Sequence, residues 1–221
     1  MKCLSPNVSV RLASAVVAAG LGFSSCIAAA DEWFDEVAKG YYIGAGLGQS
    51  KISDVNCNDP VVVADAFDQS CSAKDTATAF KLFGGYKLPI APESRYSAAI
   101  ELGYVDFGKV GLSGTDSAFG ATKLDIATSG INLSVLGAVE VIERWSLIGK
   151  LGLLRWNADY SASSSIDGKA PGSSDSGTGF AFGIGGMFAV TPQISARLEW
   201  ERFDMDDANA NLLSASVVYA F

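Results

Sequence analysis

Leu212-Leu213-Ser214-Ala215-Ser216-Val217-Val218-Tyr219-Ala220-Phe221 closes the chain, and it alternates. Leu213, Ala215, Val217, Tyr219 and Phe221 share one face. Leu212, Ser214, Ser216, Val218 and Ala220 share the other. Successive side chains of a strand point to opposite sides, so sustained period two is a strand lying between two different environments.

The rest of the chain is rich in apolar residues but never concentrates them. Of 221 residues, 49% are hydrophobic and 18% charged, more apolar and less charged than an average soluble domain. After the N-terminus no apolar run reaches the roughly 18 residues of a spanning helix. In hydrocarbon only helices and closed barrels satisfy every backbone group, so scattered apolar residues at period two point to a barrel.

Residues 1–30 carry the features of a secretory signal. Lys2 and Arg11 supply positive charge, Leu12 to Phe23 is an apolar core too short to span, and Ala28-Ala29-Ala30 offers a cleavage site before Asp31. Lipidation at Cys26 is the alternative, but the preceding Phe23-Ser24-Ser25 lacks the usual Leu. Cleavage removes two cations and no acid, so the net charge moves from −8 to −10. An acidic chain argues against nucleic acid as a partner. Cys3 and Cys26 leave with the signal, and Cys57 and Cys71 remain as an even pair in an exported protein. A disulfide is expected between them. A metal site lacks further ligands, since the chain has no His.

Eight alternating segments follow: about 41–51, 75–88, 96–107, 123–141, 145–158, 178–190, 194–204 and 211–221. Each has one apolar face and one small or polar face. In the first, Tyr41, Ile43, Ala45 and Leu47 oppose Tyr42, Gly44, Gly46 and Gly48. In the seventh, Ile194, Ala196, Leu198 and Trp200 oppose Arg197, Glu199 and Glu201. The first half of the fourth segment has a weaker phase, and a bulge is expected there. The links 52–74, 108–122, 159–177 and 205–210 alternate with the short turns 89–95, 142–144 and 191–193. Three of the first four are long, which is the arrangement of long outer loops and short periplasmic turns, with both termini periplasmic. All six prolines fall outside the segments, as a ladder without edges requires. Tyr41, Tyr86, Tyr96, Trp145, Tyr219 and Phe221 gather near one set of strand ends, and Tyr104, Trp156 and Trp200 near the other, as two aromatic girdles. A soluble barrel would put the apolar face inside. Here the small and charged face must be inside, so the apolar face meets lipid.

The chain resembles the OmpA-like and OmpX-like small outer-membrane barrels. The resemblance rests on Gly40-Tyr41-Tyr42-Ile43-Gly44-Ala45-Gly46-Leu47-Gly48, on Phe80-Lys81-Leu82-Phe83-Gly84-Gly85-Tyr86, on Glu101-Leu102-Gly103-Tyr104-Val105-Asp106-Phe107-Gly108 and on Leu212 to Phe221. It covers about 40–221. It implies the outer membrane of a Gram-negative bacterium as location. It implies lipid and lipopolysaccharide as surroundings, and periplasmic chaperones and the barrel-assembly machinery as partners. Val217, Tyr219 and Phe221 would be the signal that this machinery reads. Many members continue into a peptidoglycan-binding domain, and that role is not carried over.

Lys81, Lys87, Glu101, Lys150, Arg197, Glu199 and Glu201 are expected to project into the lumen. Eight strands leave room only for side chains, so a structural ion-pair network is the first reading. A narrow gated ion path is the second, and paired-acid chemistry at Glu199 and Glu201 the third. Gly44-Ala45-Gly46-Leu47-Gly48 fails the dinucleotide fingerprint, which needs a sixth-position Gly where Gln49 stands. Asp204, Asp206, Asp207 and Asn209 lack the Gly and distal Glu of a calcium loop. Without His the usual general base is missing, so no enzyme and no cofactor are expected.

The expected fold is therefore all-β: an eight-stranded antiparallel up-and-down transmembrane β-barrel over 40–221, preceded by a cleaved signal peptide, 1–30, and a short periplasmic segment, 31–39. The expected function is a scaffold that presents extracellular loops for adhesion, surface interaction or envelope integrity. A porin-like channel is the alternative. The loop 52–74, with Val61-Val62-Val63 and Phe67, is the expected contact surface for an external or host ligand.

Overall fold

The computed structural model describes residues 40–53, 70–89, 95–116, 120–166, 168–169, 172–205 and 208–221. The expected signal peptide, the segment 31–39, Cys57 and most of the loop 52–74 lie outside them.

The described residues form ten strands: β1 (Tyr41–Ile52), β2 (Ser70–Lys74), β3 (Thr76–Leu88), β4 (Tyr96–Asp116), β5 (Gly120–Ile142), β6 (Trp145–Ser164), β7 (Gly168–Lys169), β8 (Ser173–Ala189), β9 (Ile194–Met205) and β10 (Ala208–Ala220). Eight of them close a ring in the order β3-β1-β10-β9-β8-β6-β5-β4, with β4 pairing back to β3, and every pairing is antiparallel. β2 extends the β3 position by pairing with the far part of β4, and β7 adds to the end of β6. Period two in the sequence becomes inside and outside: Ile43, Leu47, Leu133, Leu151, Phe180 and Leu198 are exposed, while their sequence neighbours turn inward.

The strands run further than the sequence pattern suggested. Residues 70–74, 108–116, 120–122, 159–164, 173–177 and 208–210 were expected in links and are strand. Their polar composition reads as loop, but backbone pairing with a neighbouring strand decides the matter. The bulge expected in the fourth segment lies opposite it, in β4, where the register shifts between Asp106 and Lys109. Gly108 makes that shift workable. Its φ is 78°, and a Cβ there would run into the Thr78 carbonyl. The bulge reverses the phase of β4, so even residues face out before it and odd residues after it. Asp75 separates β2 from β3. The Thr76 hydroxyl (2.9 Å) and then Lys51 (3.3 Å) hold its carboxyl below the usual carboxylate range.

Aromatic rings pair around the outside near both rims. Tyr41–Tyr86, Trp145–Phe188 and Tyr219–Phe221 approach to 4.8, 4.8 and 5.1 Å at the end that carries Tyr41 and Phe221. Phe80–Tyr104 and Phe182–Trp200 pair at 5.9 Å nearer the other end. Trp156, expected in that second girdle, instead points into the lumen and is buried, because even positions of β6 face inward.

Candidate functional site

The lumen is filled in three layers. Next to the end that carries Tyr41 and Phe221, Tyr42, Phe83, Ala99, Leu136, Ile148 and Val218 form an apolar layer. At the opposite end Phe107, Val110, Leu154, Trp156, Phe203 and Leu212 form a larger one, with Phe107 and Phe203 edge to face at 5.0 Å. Bulky inward side chains fit so narrow a barrel because a neighbouring strand offers no side chain. A Cβ on Gly44 would collide with the Phe83 ring.

Between the apolar layers lies a closed circuit of charge. Lys81 on β3 reaches Glu199 and Glu201 at 2.5 and 2.6 Å. Lys150 on β6 reaches Glu201 and Glu101 at 2.9 and 2.7 Å. Arg197 on β9 reaches Glu101 and Glu199 at 2.9 and 3.4 Å. Each cation touches two carboxylates and each carboxylate two cations, so the six side chains alternate around a ring that balances to zero. All six are buried. Isolated, each would carry a desolvation cost of several kcal/mol; arranged so, each charge is offset by two of the opposite sign.

Two residues that the sequence did not single out complete this layer. The Tyr42 hydroxyl donates to Glu101 Oε2 at 3.1 Å. Phe83 lies under the Arg197 guanidinium at 4.7 Å, a cation–π contact. Period two puts Tyr42 on the inward face but gives it no partner, and Phe83 stands in the sequence only within the stretch Phe80 to Tyr86. A space of about 10 Å³ bounded by Lys81, Asn132, Lys150, Glu201 and Phe203 holds about one water at most.

Lys87 is the correction to the expected charge set. It is exposed near the rim, beyond the apolar layer, and stands apart from the ring. Glu199 and Glu201 are each bridged by two cations, so neither offers a free carboxylate for acid–base work. Asp204 belongs to β9 and pairs with Arg202 at 3.0 Å, and Asn209 bonds Ser53 through its backbone; Asp206 and Asp207 lie outside the described residues. Val217 and Tyr219 face outward on β10, and the Phe221 N–H donates to the Tyr41 carbonyl at 3.1 Å. Cys71 sits on β2 opposite Gly114. Among the described residues no three His, Cys, Asp or Glu side chains group as metal ligands.

Comparison with known proteins places this geometry. The model of the outer membrane protein beta-barrel domain matches residues 15–221. Outer membrane protein P5 of Haemophilus influenzae is 27% identical over 86% of this chain and 51% of its own length. Outer membrane protein A of Escherichia fergusonii is 26% identical over 96% of this chain and 55% of its own. The chain thus spans about half the length of these curated relatives. Among solved structures, Ail, the attachment invasion locus protein of Yersinia pestis, superposes with a TM-score of 0.51 at 18% identity, over 83% of this chain and 99% of that one.

Proposed function

Because this chain belongs to the outer membrane protein beta-barrel domain family and lies in the outer membrane of a Gram-negative bacterium, we propose that its barrel is a closed scaffold that presents its loop end for adhesion, surface contact or envelope integrity. The loop end is the one opposite Tyr41 and Phe221, and it faces outward from the cell. The observation that carries this reading is the layered lumen: apolar, charged, apolar. An ion path would require two packed layers and a neutralised charge ring to part together. No catalytic role is proposed, since the lumenal carboxylates are all engaged by cations. Cys57 and Cys71 form a disulfide that ties the segment between them to β2. The barrel-assembly machinery and periplasmic chaperones recognise Val217, Tyr219 and Phe221.

The test is conductance of the refolded chain in a planar bilayer, using protein whose heat-dependent gel mobility shows that it is folded. A silent folded barrel is the expected result. Discrete, reproducible current steps would replace the scaffold with a narrow gated pore.

A further inference from the structure

One strand beside the charge circuit brings no charge to it. Glu101 and Lys150 come from β4 and β6, and β5 runs between those two strands. At this level β5 turns Asn132 inward, in register with Gly103 on one side and Leu154 on the other. Asn132 is 5% exposed, and its Oδ1 has no hydrogen-bond partner among the described residues. Buried polar atoms of a folded protein are nearly always paired, so a lone one points to a partner outside the chain.

Asn132 borders the small space inside the circuit together with Lys81, Lys150 and Glu201. Two rings close it, Phe83 from one apolar layer and Phe203 from the other. Size and chemistry select the occupant. About 10 Å³ is room for one water and for no organic group. A cation there would meet two ammonium groups. An anion would have no proton for Asn132 Oδ1 and would be repelled by Glu201. Turning the amide over would aim its N–H groups at the ammonium groups instead, donor against donor. A water matches every group. Each ammonium has three N–H donors and two carboxylates, so each keeps a donor for one of the water's lone pairs. One O–H then goes to Asn132 Oδ1, and the other goes to a remaining lone pair of Glu201.

We propose that this space is the seat of one trapped water, which accepts from Lys81 and Lys150, donates to Asn132 and so ties β5 into the charge circuit. Asn132 is a positioning residue here: it orients the water between the two ammonium groups. The trapping rests on the closed lumen proposed above.

The test counts long-lived waters by oxygen-17 relaxation dispersion on the chain refolded in micelles, with folding shown by heat-dependent gel mobility. Asn132→Leu fills the space and removes the acceptor, and it is expected to hold one long-lived water fewer than the parent. Asn132→Ser keeps an acceptor and should keep the parent's count. Equal counts in the parent and Asn132→Leu overturn the seat. A second measurement needs no variant. In the parent, water should cross-relax with the amide protons of Gly103 and Val105, which also border the space. Absence of both cross-peaks overturns the proposal, and so does a chloride titration that moves the Asn132 side-chain amide signals, since it would put an anion in the seat. A barrel that conducts in the bilayer, yet loses one water on Asn132→Leu, keeps the seat and loses the closed lumen.

Discussion

Arg197 Nη1 lies 2.9 Å from Glu101 Oε2, and the two residues come from strands that stand diametrically opposite in the eight-strand ring. This pair therefore ties the two halves of the barrel across the lumen. Lys81 and Lys150 close the circuit on either side.

Glu101→Gln leaves Arg197 and Lys150 each short of one carboxylate in a buried site. Removing one partner of a buried ion pair costs about 3–5 kcal/mol. Denaturant titration in lipid vesicles should show that loss. Glu101→Gln combined with Arg197→Met should cost less than the two single changes added together, because the double variant removes the stranded charge. Strict additivity would mean the ring is not a coupled unit.

Phe107→Ala opens a hole in the larger apolar layer, where Phe107 and Phe203 are both fully buried. Such a truncation costs about 3–5 kcal/mol. The variant should unfold at lower denaturant yet stay electrically silent, because the charge ring and the second apolar layer remain. Current through Phe107→Ala alone would show that one layer was the whole seal.

Gly108→Val asks a β-branched residue to adopt a φ of 78° and to occupy the space of the Thr78 carbonyl. The strain alone is worth about 1–3 kcal/mol. The register of β4 beyond the bulge should slip, and amide hydrogen exchange should quicken in residues 109–116 while residues 96–106 keep their protection.

Cys57→Ser with Cys71→Ser should leave the barrel's heat-dependent gel mobility unchanged and make the segment between them sensitive to protease. Closing a loop of about 15 residues is worth about 3 kcal/mol in the chain-entropy model. Identical digestion of parent and variant would remove the disulfide from the account.

Deleting Phe221 removes one backbone bond to Tyr41 and one rim ring. If the residue serves chiefly as an assembly signal, the truncated chain should refold in vitro nearly as stably as the parent and yet accumulate poorly in the outer membrane of cells. Parallel losses in both assays would make Phe221 a structural residue only.

The alternation from Leu212 to Phe221, repeated seven times upstream, determined the strand class, the number of strands in the ring and the side to which most residues point, Trp156 and the residues beyond the β4 bulge apart. The reason is local: the pleat of a strand converts every second position into one face, whatever the rest of the chain does. It therefore also put Glu101, Lys150 and Arg197 on the inward side. Which charge meets which could not be read this way, because it depends on registers between strands far apart in sequence. Lys87 shows the limit: its phase is inward, but its height along β3 lifts it clear of the ring. Residues 108–116 show the other limit. Their Ser, Gly and Thr read as a loop, since polar composition marks distance from hydrocarbon and not absence of pairing. Only the closed sheet, by pairing Lys109 to Asp116 with β5, made them strand.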